Sequence, residues 1–417
     1  PCGTLFPYTT LFRSGTAKSK GAVCSNQMLV KKILVILPLA VLFILVQSYF
    51  WVPSYEEQTR GNPERLQEFI TASIGDASIL NPILSSDSSS SEIQDKVFEG
   101  LIGLNKDLGY RGRVASSWEI HETAYFMVHE HAQVQGLGKA GPERILAFLD
   151  QARQSFREHG QDLGQTLKNI EKLSVLPGRE DVRQVSLGDD RSVRVKVTTP
   201  PRIRLELRDV DQDLFDHLSQ LLGEDYFSSF SPQELLQPLD PLDEEHLKPL
   251  ADKLLPVTEH NPFLVFHLRP GVKFHDGHVV DARDVQFTYE AIMNPKNLSP
   301  RVSSYEAVKD VVVVDDLTVK VVYSRLFSPA LISWAMGILP EHLLNREALN
   351  QEARDRGKDP DGFTLRDSRF NRNPVGCGPF RFQKWESDQY IMLEAFDQYW
   401  EGEPNYQTYV YRVIPDL

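Results

Sequence analysis

His275-Asp276-Gly277-His278 places two imidazoles around one carboxylate within four residues, a density that raises metal binding or general acid-base chemistry. A zinc or nickel site needs three or four convergent ligands, and no third ligand stands at a motif spacing such as H-E-x-x-H. His129-Glu130-His131 raises the same question, because residues i and i+2 of a strand share a face. A solvated strand edge accounts for that pair. The sequence has no G-x-S-x-G elbow, P-loop or dinucleotide fingerprint. The expectation is a protein without catalytic residues, metal ligands or a cofactor.

The elements that must position the two histidines are well marked. Phe263 to Leu268 alternates as a half-buried strand, with Leu264, Phe266 and Leu268 on one face. Pro270-Gly271 and Asp276-Gly277 are turn signals, since glycine supplies the positive φ of a tight reversal. Asp281 is placed as the N-cap of a helix, with an acid at the third helical position and Val280 able to staple onto Val285. Val285, Tyr289 and Ile292 form its buried stripe, and Asn294-Pro295 ends it. Every residue except the histidines then has a structural reason.

The 417 residues allow two or three domains, and 41% hydrophobic with 25% charged residues is the composition of a folded globular chain. A formal charge of −13, with no basic stripe to reverse it locally, argues against nucleic acid and anionic lipid as partners. Cys2, Cys24 and Cys377 form no CxxC and no even-numbered framework, and Cys377 is expected to stay unpaired. PCGTLFPYTTLFRS fits nothing downstream and is similar to translated sequencing-adapter sequence, so residues 1–27 are taken as a non-native leader. Residues 28–52 then carry Lys31-Lys32, an apolar run from Ile33 to Val46, and Tyr49-Phe50-Trp51. Ile33 to Val52 would make roughly 30 Å of transmembrane helix, a signal-anchor. Val46-Gln47-Ser48 also fits signal-peptide cleavage, and both readings export the rest of the chain.

Residues 53–68 read as a tether. In 69–120, Leu80-Asn81-Pro82 leads into a serine-rich loop and then a helix whose Ile93, Val97 and Leu101 share one stripe. Residues 121–260 read as a small α+β insertion. ERILAFLDQARQSFREHG and DQDLFDHLSQLLG are its helices, and SVRVKVTTPPRIRLELRDV alternates as a hairpin. QPLDPLDEEHLKP is expected to be a linker. From 261 to 417 the strands resume, and the final YVYRVIPDL is expected to end with nothing to pair it, as in a truncated chain.

Taken in order, these blocks resemble the extracellular solute-binding proteins of peptide and nickel ABC importers, the oligopeptide- and dipeptide-binding type of bacterial family 5. LRPGVKFHDG followed by VVDARDVQFTYEAIMNP is similar to the family signature. GDASILNPILSSDSSSSEIQDKVFEGLIGLN looks like its first strand, loop and helix, and VASSWEI like its Ser-Trp strand. ILPEHLL resembles its Pro-Lys-His segment, and NPVGCGPFRFQKW its Pro-Val-Gly-Thr-Gly-Pro-Tyr block, with Cys377 in place of threonine. About 140 residues intervene between the Ser-Trp and Phe-His-Leu-Arg strands where the family has a few.

The resemblance implies a mixed α/β, two-lobed periplasmic-binding-protein-like clamp that closes on a ligand by hinge bending. It implies a monomeric substrate-binding component that captures peptides or similar small solutes outside the cytoplasmic membrane and delivers them to ABC permease subunits. Its implied ligand contacts are Asn81, Ser86, Asp87 and Ser88 in the first loop, and Arg301 to Tyr305 after the signature helix. A membrane-anchored ligand sensor or scaffold, or an exported metallo-hydrolase using the histidines, are the competing readings.

Overall fold

Leu264, Phe266 and Leu268 lie at 4% exposure or less, on the face the alternation assigns to them. The computed structural model describes residues 22–51, 67–129, 133–188, 191–325 and 328–414. The chain separates into two units, Pro1–Leu66 and Gln67–Leu417.

In the first unit, Ala22–Trp51 is helical with Pro38 inside it, and Ile33 to Val46 are all exposed. The transmembrane span expected over 33–52 is not supported. Among the described residues no helix is long and apolar enough to cross a membrane. The uninterrupted apolar run rises only about 21 Å at 1.5 Å per residue, short of a hydrocarbon core of about 30 Å. Val52 of the expected span and residues 53–66 of the expected tether lie outside the described residues.

The second unit is mixed α/β and is built on two main sheets. One orders Glu68–Ser73, Thr408–Val413, Tyr390–Ala395 and Phe380–Glu386, the first pair parallel and the others antiparallel. YVYRVIPDL is therefore not an unpaired end, because its strand lies between two neighbours. The other sheet orders Val308–Asp315, Thr318–Tyr323, Thr258–Leu268, Ala115–Met127, Arg202–Leu207 and Ile170–Leu176, antiparallel throughout. The hairpin expected over residues 192–210 does not form. Arg191–Thr199 pairs with Arg179–Gly188 and Leu236–Pro238 in a separate three-stranded sheet, whereas Arg202–Leu207 joins the six-stranded one. Pro200-Pro201 between them fixes φ twice and removes two N–H donors, which redirects the chain instead of reversing it.

Segment 121–260 has its own apolar cores. Ile145 and Leu149 of helix Pro142–Gln154 pack with Leu163, Leu205 and Leu218, while Val195 and Val197 pack with Leu250 of helix Glu244–Leu254. Its two ends fall inside the long strands Ala115–Met127 and Thr258–Leu268, so paired strands join it to the rest. The expected linker QPLDPLDEEHLKP instead forms strand Leu236–Pro238 and the start of that second helix. At the seam Glu122 is 1% exposed, with Oε1 2.5 Å from His260 Nδ1 and Oε2 accepting the Asp211 N–H at 2.9 Å.

A second junction forms where helix Ser88–Val97 ends. The Gly378 N–H donates to Val97 O at 2.9 Å, Ile338 N–H to Glu99 O at 3.0 Å, and Leu101 N–H to Trp334 O at 2.8 Å. The backbones approach so closely that a Cβ on Gly376 would lie 2.0 Å from Val97 O, and one on Gly100 2.4 Å from Ala335 O. Glycine at both positions is a requirement of that approach.

Two stability predictions follow from these contacts. Glu122→Ala strands the Asp211 N–H and His260, and should cost about 3 kcal/mol in urea unfolding; a loss under about 1 kcal/mol would contradict a paired seam. Gly376→Ala should lower stability by more than about 2 kcal/mol, whereas Gly277→Ala, with open space at its Cβ, pays only the strain of its positive φ.

Candidate functional site

Asp87 begins helix Ser88–Val97. Its Oδ1 accepts the Ser90 N–H at 2.7 Å, and its Oδ2 accepts the Ser78 hydroxyl. Partial burial would raise this carboxyl, yet the bonds from Ser78 and Ser90 outweigh it and hold the group below its ordinary value. Ser88 to Ser91, expected in the loop, are thus the first helical turn, because the capped N–H groups take the helix back to residue 88. Ile93 and Val97 are fully buried and Leu101 nearly so, as their stripe requires.

The neighbouring side of the helix faces a groove of about 400 Å³. Ser91, Asp95 and the C-cap residue Phe98 line it from the helix, Arg301 and Ser304 from a short turn of helix ending at Tyr305, and Ile332, Ser333 and Ala335 to Gly337 from a third wall. Arg301 Nη2 donates to Ser85 O at 3.3 Å, while its buried Nε has no partner among the described residues. Asp95 has no ion pair or side-chain hydrogen bond among the described residues and is exposed along the groove. Guanidinium and carboxylate are therefore the two charged groups of the groove with unused bonding capacity, and a ligand can meet both.

The expected site residues separate by position. Arg301 lines the groove. Ser86 and Ser88 are exposed at the capped end of the helix, outside the groove lining. For Asn81 and Tyr305 the expectation of direct contact gives way to positioning. Asn81 is fully buried, with Nδ2 donating to Asn371 Oδ1 at 3.1 Å and Oδ1 accepting the Ile83 N–H at 3.2 Å. Tyr305 is 2% exposed, its hydroxyl donates to Ser333 O at 2.6 Å, and its ring meets Trp334 edge-on at 5.3 Å. Burial pushes its hydroxyl pKa upward. Asp95 and Phe98 escaped the sequence reading, although with Ser91 they fall at i, i+4 and i+7, one helix face beside the apolar stripe.

The two histidines of the opening motif part company. His275 Nε2 donates to Gly378 O at 3.0 Å, and its Nδ1 accepts the Gly376 N–H at 3.3 Å, so the ring clasps the Gly376-Cys377-Gly378 loop as the neutral tautomer. Burial, opposed by the Gly378 carbonyl, drives its pKa down to about 4. His278 stacks on His342 at 4.0 Å, and His342 Nε2 lies 2.7 Å from Asp276 Oδ2, tying the turn to ILPEHLL. Among the described residues no group of three or more His, Cys, Asp or Glu side chains is placed to hold a metal. His131 of the other histidine pair lies outside the described residues. Cys377 is free and 1% exposed; burial, reinforced by Glu99, raises its thiol pKa and leaves it unreactive.

Asp281 caps helix Ala282–Met293 in a reciprocal box with Asp284. Asp284 is 3% exposed and accepts N–H bonds from Asp281 at 3.0 Å and Glu341 at 2.9 Å. Burial nevertheless lifts its pKa to about 6.

Residues 250–417 match the family described as bacterial extracellular solute-binding proteins, family 5 Middle. The oligopeptide-binding protein AppA of Bacillus subtilis is 39% identical over 154 residues, covering 36% of this chain and 26% of that protein. The dipeptide-binding protein of Escherichia coli is 33% identical over 177 residues, covering 38% of this chain and 31% of that protein. The chain thus spans about a third or less of these relatives' length. Among solved structures, AppA from Bacillus subtilis in complex with a nonapeptide aligns at 19% identity and TM-score 0.43, over 84% of this chain and 40% of that one. NikZ from Campylobacter jejuni in complex with Ni(L-His) aligns at 17% identity and TM-score 0.43, over 84% and 39%.

The two shifted groups predict opposite pH dependences. His275 titrates near 4 when folded and near 6.5 unfolded, so its stabilising share is full above about 6.5 and is lost as pH falls toward 4. Asp284 titrates near 6 when folded and near 3.8 unfolded, so its share is present at low pH and is lost as pH rises from 4 to 6. Urea midpoints between pH 4 and 6.5 check both. Relative to wild type, His275→Gln should lose ground as pH rises, and Asp284→Asn should gain it; parallel curves would contradict the assignments.

Proposed function

We propose that this protein, whose residues 250–417 match the family described as bacterial extracellular solute-binding proteins, family 5 Middle, is the substrate-binding component of an ABC importer. It captures peptides or similar small solutes outside the cytoplasmic membrane and delivers them to permease subunits. The observation that carries the reading is the groove between helix Ser88–Val97 and residues 301–304, which offers a guanidinium and a carboxylate with spare bonding capacity. The chain's similarity to an oligopeptide-binding protein and a dipeptide-binding protein supports the same class of ligand and a role in binding without catalysis.

Arg301 takes the ligand carboxylate. Ser86 and Ser88, exposed at the capped helix end, reach the part of a ligand that extends beyond the groove, while Asp87, Asn81 and Tyr305 hold the walls. A second lobe closes over this surface, and ligand favours closure by its additional contacts in that state. The apolar run Ile33 to Val46 has the length of a secretory leader's hydrophobic core, which supports an extracytoplasmic location.

Calorimetry of the protein against di- to nonapeptides tests this. One-to-one binding is expected, with Arg301→Ala weakening it at least tenfold, about 1.4 kcal/mol. Absence of binding across peptides would sink the reading, and an unchanged affinity in Arg301→Ala would move the site elsewhere.

A further inference from the structure

A second cavity, of about 390 Å³, lies in segment 121–260 between helix Gln161–Asn169 and the turn that enters helix Leu214–Leu222. Its floor is ordered. Thr166, 2% exposed, has its hydroxyl 2.5 Å from Asp211 Oδ2 and 2.8 Å from His217 Nδ1. With Asp211 an obligate acceptor when ionised, Thr166 donates to it and His217 Nδ1–H donates to Thr166, which leaves His217 Nε2 as an acceptor. Asp211 is held in turn by its N–H on buried Glu122, so the floor is tied to the central sheet.

The rim is different. Asp162, Lys168 and Asp209 line the cavity, and none of their side chains has an ion pair or hydrogen bond among the described residues. Neighbouring charges are already used, as Arg208 is on Glu171 at 3.0 Å. Val210 is the one apolar residue of the lining, so the cavity is mainly polar and poorly suited to a hydrophobic ligand. Two unpaired carboxylates and an imidazole acceptor suit an ammonium, and one unpaired lysine suits a carboxylate. A small zwitterion satisfies both signs at once, whereas a neutral polyol leaves the charges uncompensated.

We propose that this cavity is a second solute site, separate from the groove at Arg301, and that it takes a free α-amino acid. Its ammonium sits on Asp162 and Asp209, its carboxylate on Lys168. The site goes beyond the peptide-binding reading and stands without it.

The test is calorimetry of the full chain with each of the twenty amino acids, with glucose as the neutral polyol. At least one amino acid should bind one-to-one. The double variant Asp209→Asn, Lys168→Gln should weaken it at least tenfold with an unchanged thermal midpoint, while Arg301→Ala leaves it within twofold. Three results would overturn the proposal: no amino acid bound at millimolar concentration, binding lost in Arg301→Ala but kept in the double variant, or glucose bound in preference.

Discussion

The end of helix Ser88–Val97 is the constraint on which the rest of the second unit depends. Within five residues, Val97 O, Glu99 O and the Leu101 N–H make three bonds to two separate segments, the loop at Gly378 and the stretch from Trp334 to Ile338. Those bonds fix the wall 332–337 against the helix and so set the width of the groove. They also bring the Gly376-Cys377-Gly378 loop within reach of His275, whose two ring nitrogens close the junction from the far side. A side chain at Gly376 or Gly100 would hold these backbones apart.

Charge is concentrated at the same place and fully answered. Glu99, 8% exposed, meets Arg113 at 3.0 Å, the Trp400 indole N–H at 3.0 Å and the Tyr399 hydroxyl. Arg269 lies 4.4 Å over the Trp400 ring and donates from Nε to Arg113 O at 2.7 Å. A buried carboxylate left with one partner would be costly, and this one has three. The satisfied network around Glu99 contrasts with Arg301 and Asp95 in the groove, and that contrast separates scaffold from the proposed binding surface.

What could be read in the sequence was local. Alternation through Phe263 to Leu268, the Asp281 cap with its acid three residues on, and the Ile93-Val97 spacing each depend on neighbours within one turn or one strand, and each stands in the structure. Pairing is not local. Arg191–Thr199 and Arg202–Leu207 alternate alike but join different sheets, and Thr408–Val413 finds its parallel partner at Glu68–Ser73, near the other end of the second unit. Of the candidate site, Arg301 was legible from its place after the signature helix. Asp95 and Phe98 were masked by the serine run before them. His275 drew attention as a possible ligand, but only its contacts with Gly376 and Gly378 reveal a clamp.

The central claim is that solute binds in the groove between helix Ser88–Val97 and residues 301–304. Hydrogen exchange of the backbone, with and without a saturating peptide mixture, tests it most directly. The account predicts slowed exchange in three segments, 91–98, 301–304 and 332–337, with little change in 142–169. Slowing confined to other segments, or none at all, would contradict it.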